Sequence, residues 1–199
     1  MRAIVRIASA VALGVAAGAC SLSSLTGAGK TPAHLFDLTP DATAAAATRS
    51  APAGEIVTIR VPVVPRELKT TRVPVQVNPI VVEYLKDMTW VDTPDRLFQN
   101  LLEEMVRSTT GRVVLDPSQS ALDPGLVVTG QLQKFGFDAQ QGTVVVQYDA
   151  SLATQGGTHV QTRRFVAALP ADGTAATVGP ALNQAANQIA REVAAWIGG

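Results

Sequence analysis

Apolar and polar positions along this chain follow two periods, and the change from one to the other divides it into elements. Alternation with period two marks a strand with one face buried. Leu35-Phe36-Asp37-Leu38 alternates briefly and stops before Pro40, which predicts a short edge strand. Ile56-Val57-Thr58-Ile59-Arg60-Val61 is a β-branched run closed by Pro62. Val63-Val64-Pro65 extends it in a form that only an edge or an exit from a sheet tolerates. Residues 73–77 and 80–85 predict two strands joined by a tight turn at Asn78-Pro79, and 113–115 a short strand ending at Asp116-Pro117. The runs 126–137, 142–153 and 159–168 have hairpin-length connections at 138–141 and at Gln155-Gly156-Gly157. They predict an antiparallel meander. In its middle strand Val144, Val146 and Tyr148 alternate with Val145, Gln147 and Asp149, so one face is expected to be buried and the other partly wet.

Period 3.6 appears twice. Thr93 is placed to cap a helix whose first residue is Pro94, with Asp95 favourable to the helix dipole. Leu97, Phe98, Leu101, Leu102, Met105 and Val106 share one face of it, and Thr109-Thr110-Gly111 ends it. After a loop over 170–179, Pro180 predicts the start of a terminal helix. Its stripe is Leu182, Ala185, Ala186, Ile189, Ala190, Val193 and Ile197, alanine-rich enough to lie close to a sheet. Residues 41–54, with the run Ala44-Ala45-Ala46-Ala47 between Thr, Ser, Pro and Gly, predict a mobile loop.

The first 20 residues belong to neither pattern. Arg2 and Arg6 precede an apolar stretch, 7–19, too short for the roughly 20 residues a membrane span needs. Ala17-Gly18-Ala19 then stands directly before Cys20, the single cysteine. This layout resembles the lipobox of bacterial lipoproteins, with Ala17 where leucine or valine is usual. The resemblance implies cleavage before Cys20 and acylation of its thiol and amino group; an ordinary secretory signal cut near Ala19 is the alternative. Several acyl chains, at about 0.8 kcal/mol per buried methylene, are enough for stable anchoring. Ser21, where an inner-membrane lipoprotein would carry aspartate, favours the outer membrane. Residues 20–33, poor in bulky apolar side chains, read as a lipidated flexible tether, leaving 34–199 as one domain.

Composition narrows the function. Removing residues 1–19 takes Arg2 and Arg6 from 16 basic side chains and none from 16 acidic ones, so the mature chain is near −2. No clustered basic face suggests nucleic acid. With Cys20 acylated, no intrachain disulfide can form and the fold rests on packing. Scarce aromatics and abundant Val and Ala favour a β-branched sheet covered by alanine-rich helices.

Candidate chemistry is thin. His34 and His159 lie at the tether's end and past a Gly-Gly turn, in no metal or catalytic spacing, and both read as solvated turn residues. Glu103-Glu104 reads as a solvated helix face, and Asp87, Asp92 and Asp95 as turn and cap residues. No catalytic constellation, metal site or cofactor is expected.

Taken in order, the lipobox, Phe36-Asp37-Leu38, the run Val61-Pro62-Val63-Val64-Pro65-Arg66-Glu67-Leu68, Trp90 before an amphipathic helix, then strands and an alanine-rich terminal helix form a pattern. It resembles the ABC-type transport auxiliary lipoprotein family over nearly all of the mature chain. The family's Trp-Ala-Glu-Pro-Leu pattern reads here Trp90-Val91-Asp92-Thr93-Pro94, with Leu97 further on, and residues 70–78 depart from its usual Leu-Asp-Arg-Pro-Gln form. The resemblance implies an α/β fold, an α+β sandwich with a mixed, largely antiparallel sheet and helices packed on one face, like the N-terminal domain of TolB. It implies an accessory to an ABC permease and ATPase working with an MCE-domain protein to move lipid across the periplasm. Phospholipid is the candidate cargo, and a homo-oligomer is compatible with this reading. Trp90 is either a partner contact, since indole suits half-apolar interfaces, or a core side chain sealing the helix against the sheet. Trp196 is either at the core's edge or at a protein contact. Two rival functions remain open: a lipid-binding shuttle, which a concave pocket lined by Phe135, Phe137 and Val146 would favour, and a lipoprotein regulator of a cell-envelope enzyme.

Overall fold

The computed structural model describes residues 34–42, 55–118, 125–154 and 157–198. The signal segment, Cys20 and the tether, and the expected loop beyond Ala42, lie outside them. Among the described residues the elements are β1 (Ile56–Ile59), a 3-10 turn (Arg66–Leu68), β2 (Arg72–Asn78), β3 (Val81–Thr89), α1 (Pro94–Thr109), β4 (Val113–Leu115), β5 (Leu126–Asp138), β6 (Thr143–Thr154), β7 (His159–Pro170) and α2 (Ala175–Gly198).

The strands form one mixed sheet organised around β5. One edge of β5 pairs antiparallel with β6, which pairs antiparallel with β7. The other edge is shared: β1 runs parallel to it at 126–128, Val63 bridges Gln131, and β2 runs parallel to it at Phe137 and Asp138. β4 lies outside β1 in parallel, and β3 outside β2 antiparallel. The long ladders are antiparallel and the parallel ones short, so the expected class is the class observed.

Within β5 the side-chain alternation changes phase. Leu132 faces Tyr148 while Lys134 faces Gln147, leaving Gln133 as an extra residue. Without this bulge Lys134 and Gly136 would point into the core; with it Phe135 and Phe137 do. The buried face continues through Val144, Val146 and Tyr148 of β6 and Phe165 and Ala167 of β7.

Both helices cover this face and pack on each other. All six side chains of the predicted α1 stripe are buried, each contributing about 1.5–3 kcal/mol by leaving water. The α2 stripe is buried throughout, and small alanines let the helix sit low over β6 and β7. Phe98 meets Tyr148 edge-on at 5.1 Å, and the half-buried Trp196 leans on Phe165 at 5.7 Å.

Four local expectations change. Residues 35–38 form no strand; Phe36 makes a single parallel bridge to Trp90, because the partner backbone ends there. The terminal helix starts at Ala175 rather than Pro180. Asp172 accepts bonds from the hydroxyls of Thr177 (2.5 Å) and Thr174 (2.7 Å) and the amide of Thr174 (2.9 Å), which satisfies the helix entry and leaves Pro180 in its second turn. Thr93 is the N-cap of α1, as expected, but its hydroxyl makes no cap bond. It turns back toward Asp92 Oδ1 at 3.5 Å, while the Thr93 carbonyl accepts from the amides of Arg96 and Leu97. Glu103 and Glu104 are half-buried rather than solvated and both pair with Arg107. Burial raises the Glu103 carboxyl above its ordinary pKa despite the neighbouring guanidinium.

Candidate functional site

The two ends of β3 place the residues that bear on function. At the C-terminal end Trp90 is 1% exposed, between Phe36 (6.4 Å, edge-on) and Phe135 (5.6 Å). Its amide donates to Thr71 O at 2.8 Å, and its buried indole N–H has no partner. The side chain therefore seals the sheet from within. Leu35 and Val91 flank the Phe36–Trp90 bridge by one residue, project from the opposite side of the extended backbone and are exposed.

The segment that bridges Trp90 is also fastened to α2. Asn183 Oδ1 accepts from Thr39 N, Asn187 Oδ1 from Asp41 N, and Asn187 Nδ2 donates to Thr39 O, each at 2.9 Å. Arg191 pairs with Asp41. Asn183, Asn187 and Arg191 thus form a polar row, spaced by four, along α2, and the row serves the strap 36–41 as a strand edge would. Phe36 enters a notch at Gly179, where a Cβ would lie 2.7 Å from its ring. That row was the available sequence signal for the strap.

At the other end β2 and β3 meet in a turn. Ile80 is 92% exposed, Val81 37% and Val82 42%, three consecutive aliphatic residues in water. The turn's polar groups are largely satisfied from within: Gln76 Nε2 donates to Asn78 O at 2.5 Å and Val81 O at 3.3 Å, and Asn78 Oδ1 accepts from Ile80 N at 3.0 Å. Pro79 has no N–H to satisfy. The sequence signal missed here is an isoleucine seated directly after Asn78-Pro79, in the turn rather than in the strand.

At the root of this hairpin a groove of about 140 Å³ opens on the helix-free face, with Pro74, Val82, Gly136 and Val145 in its walls and Glu67, Lys134 and Asp138 among its lining residues. Gly136 is required there, because a Cβ would lie 2.5 Å from Pro74 O. Phe135 and Phe137 border the groove but are buried in the core; Val146, also buried, does not reach it. Further along this face Arg164 clamps Asp149 with bonds of 2.6 and 2.8 Å, which hold the carboxyl below its ordinary pKa.

The histidines are not brought together: His34 and His159 are both exposed, and His159 is 3.4 Å from the Gln161 amide. Among the described residues no group of three or more His, Cys, Asp or Glu side chains could hold a metal ion. Nor is any helix among them long and apolar enough to cross a membrane. What the arrangement offers is surface: an apolar tip, a shallow groove and an exposed pair, Leu35 and Val91.

Comparison with known proteins places the fold. A Xanthomonas campestris protein of the DUF330 family superposes with a TM-score of 0.69 at 17% identity, covering 83% of this chain and 95% of its own. A second solved structure, of an uncharacterised protein, gives 0.60 at 17% identity, covering 72% and 92%. At such identity the likeness is one of fold. A search of curated proteins finds no match. The profile of one family, described as the ABC-type transport auxiliary lipoprotein component, matches residues 36–194. That description carries an accessory role in transport and the membrane anchoring of an envelope lipoprotein, and points away from catalysis. With the match running from the strap to the last turns of α2, the chain belongs to the family of ABC-type transport auxiliary lipoprotein components.

Proposed function

We propose that this protein is a non-catalytic accessory of an MCE-type lipid transport system, held at the periplasmic face of the outer membrane by acyl chains on Cys20. The observation that carries the reading is the family match over residues 36–194. It is supported by Ala17-Gly18-Ala19-Cys20, with Ser21 next, as an anchoring signal. The mechanism is positional: the anchor holds the domain at the membrane, and the domain docks the outer end of the MCE assembly while permease and ATPase work at the other membrane. Docking is assigned to the sheet edge near Trp90, where Leu35 and Val91 project and Trp90 supports them from beneath. Phospholipid is the proposed cargo of the system. A shuttle role has less support, since Phe135, Phe137 and Val146, the side chains expected to line its pocket, are buried in the core and Val146 does not reach the groove.

The test is genetic and chemical together. Deleting the gene should weaken the outer-membrane barrier as deletion of the permease or MCE gene does, with no worse defect in the double mutant. Complementation should require Cys20 and tolerate replacement of His34 and His159 together. A photo-crosslinker at Val91 should capture the MCE protein. Additive defects with no such crosslink would instead favour the regulator of a cell-envelope enzyme.

A further inference from the structure

We propose that the β2–β3 turn is a second membrane contact, in which Ile80, Val81 and Val82 enter the apolar margin of the bilayer that holds the N-terminus. Residues 77–82 carry no charge, and their exposed part is purely aliphatic. Ordinarily the backbone makes such a turn unfit for lipid, because polar groups taken out of water need partners. Here Gln76 and Asn78 supply partners for Asn78 O, Val81 O and Ile80 N, and Pro79 has no N–H. Three of the turn's backbone polar groups thus have partners before the tip meets anything.

The same bonding argues for lipid over a protein pocket. Protein hot spots rest on aromatic and arginine anchors that add direction to apolar area; this tip has neither, and Asn78 O, Val81 O and Ile80 N are bonded inward. Reach permits the contact. Rising about 3.3 Å per residue, the nine residues of β3 separate the tip from the strap by roughly 30 Å. Residues 21–33, at roughly 3.3–3.6 Å each when fully extended, span about 45 Å. A domain tethered at Cys20 can therefore turn its far end back to the same bilayer. The inference rests on the proposed anchoring at Cys20.

Acylation of Cys20, the only cysteine, leaves Ile80→Cys as a unique free thiol for an environment-sensitive fluorophore. The full lipidated chain would be reconstituted in vesicles of phosphatidylethanolamine and phosphatidylglycerol, with Gln161→Cys on β7 as the exposed control. The expected result is a blue-shifted emission at position 80 that loses intensity to nitroxide-bearing acyl chains, while the label at 161 keeps a water-like spectrum. Flotation of the vesicles reports the anchor separately. If the protein floats and the label at 80 remains water-like and unquenched, the proposal is overturned. Protection of that label only after an MCE protein is added would overturn it too, in favour of a protein pocket. A chain that does not float removes the anchor and this inference with it.

Discussion

The two ends of β3 are made of similar material and put to opposite uses. At one end Trp90 is enclosed by Phe36 and Phe135, and the strap above it is tied to α2 by two asparagines. At the other, three aliphatic side chains stand in water on a turn that bonds to itself. A large aromatic attracts a functional reading, yet an aromatic of this size is worth most when buried. Exposed Ile and Val carry no such benefit, so their exposure is the more informative anomaly. Between the ends, β3 departs from β2 by a bulge, with Asp87 at φ 56° on the outer edge. A bulge of this kind keeps an edge strand from pairing with another chain.

Substitutions at the two ends should therefore differ by an order of magnitude. Trp90→Ala is expected to cost about 3–5 kcal/mol in chemical denaturation, through lost burial and the cavity left between Phe36 and Phe135. Ile80→Ser should stay within about 0.5 kcal/mol. Equal losses at the two positions would break the contrast. The strap sharpens it: Asn187→Ala should cost about 1–3 kcal/mol, because it strands Thr39 O and Asp41 N. Hydrogen exchange at the Asp41 amide should rise far more than at the β2–β3 turn. A smaller effect is expected from acid. Hydroxyl bonds from Thr177 and Thr174 depress the Asp172 pKa in the folded state, as the Arg164 bond depresses that of Asp149. Each contribution is full above the unfolded carboxylate pKa and lost as pH falls through the lower folded value. Thermal melts taken downward from neutral pH should show Asp172→Asn flattening that loss, and a parallel curve would deny the cap its role. Thr93→Ala should matter least, a few tenths of a kcal/mol against the ~1 kcal/mol of a bonded cap. Its hydroxyl holds no helix amide.

Periodicity made most of the fold legible. The α1 and α2 stripes and the β5–β6–β7 meander depend on neighbours in sequence, so the chain displays them locally. The failures were non-local or competitive. Pro180 is well suited to a first helical position, but Asp172, Thr174 and Thr177 build an entry that starts the helix at Ala175, and a weak rule yields to actual hydrogen bonds. Leu35 to Leu38 reads as a strand, though its partners lie on α2 and at Trp90, far along the chain. Cys20 was legible as a candidate anchor and Trp90 as a candidate contact. The burial of Trp90 and the exposure of Ile80 depend on what packs beside them, which no window of sequence contains.

The shared edge of β5 also sets an order of events. β1, Val63 and β2 all pair with a strand that follows them by tens of residues, whereas β5, β6 and β7 find their partners across short turns. A chain threaded from its N-terminus delivers its β-branched first half before the template for it exists. Contacts so distant in sequence close late, after the local hairpins have formed. The β5–β7 meander should then become protected first, with β1 and β2 added to a finished edge. Pulse labelling during refolding that protects the amides of β1 ahead of those of β6 would contradict that sequence. Until the template arrives, one edge of β1 and one edge of β2 must remain unpaired, which makes the newly made chain a natural client for a chaperone.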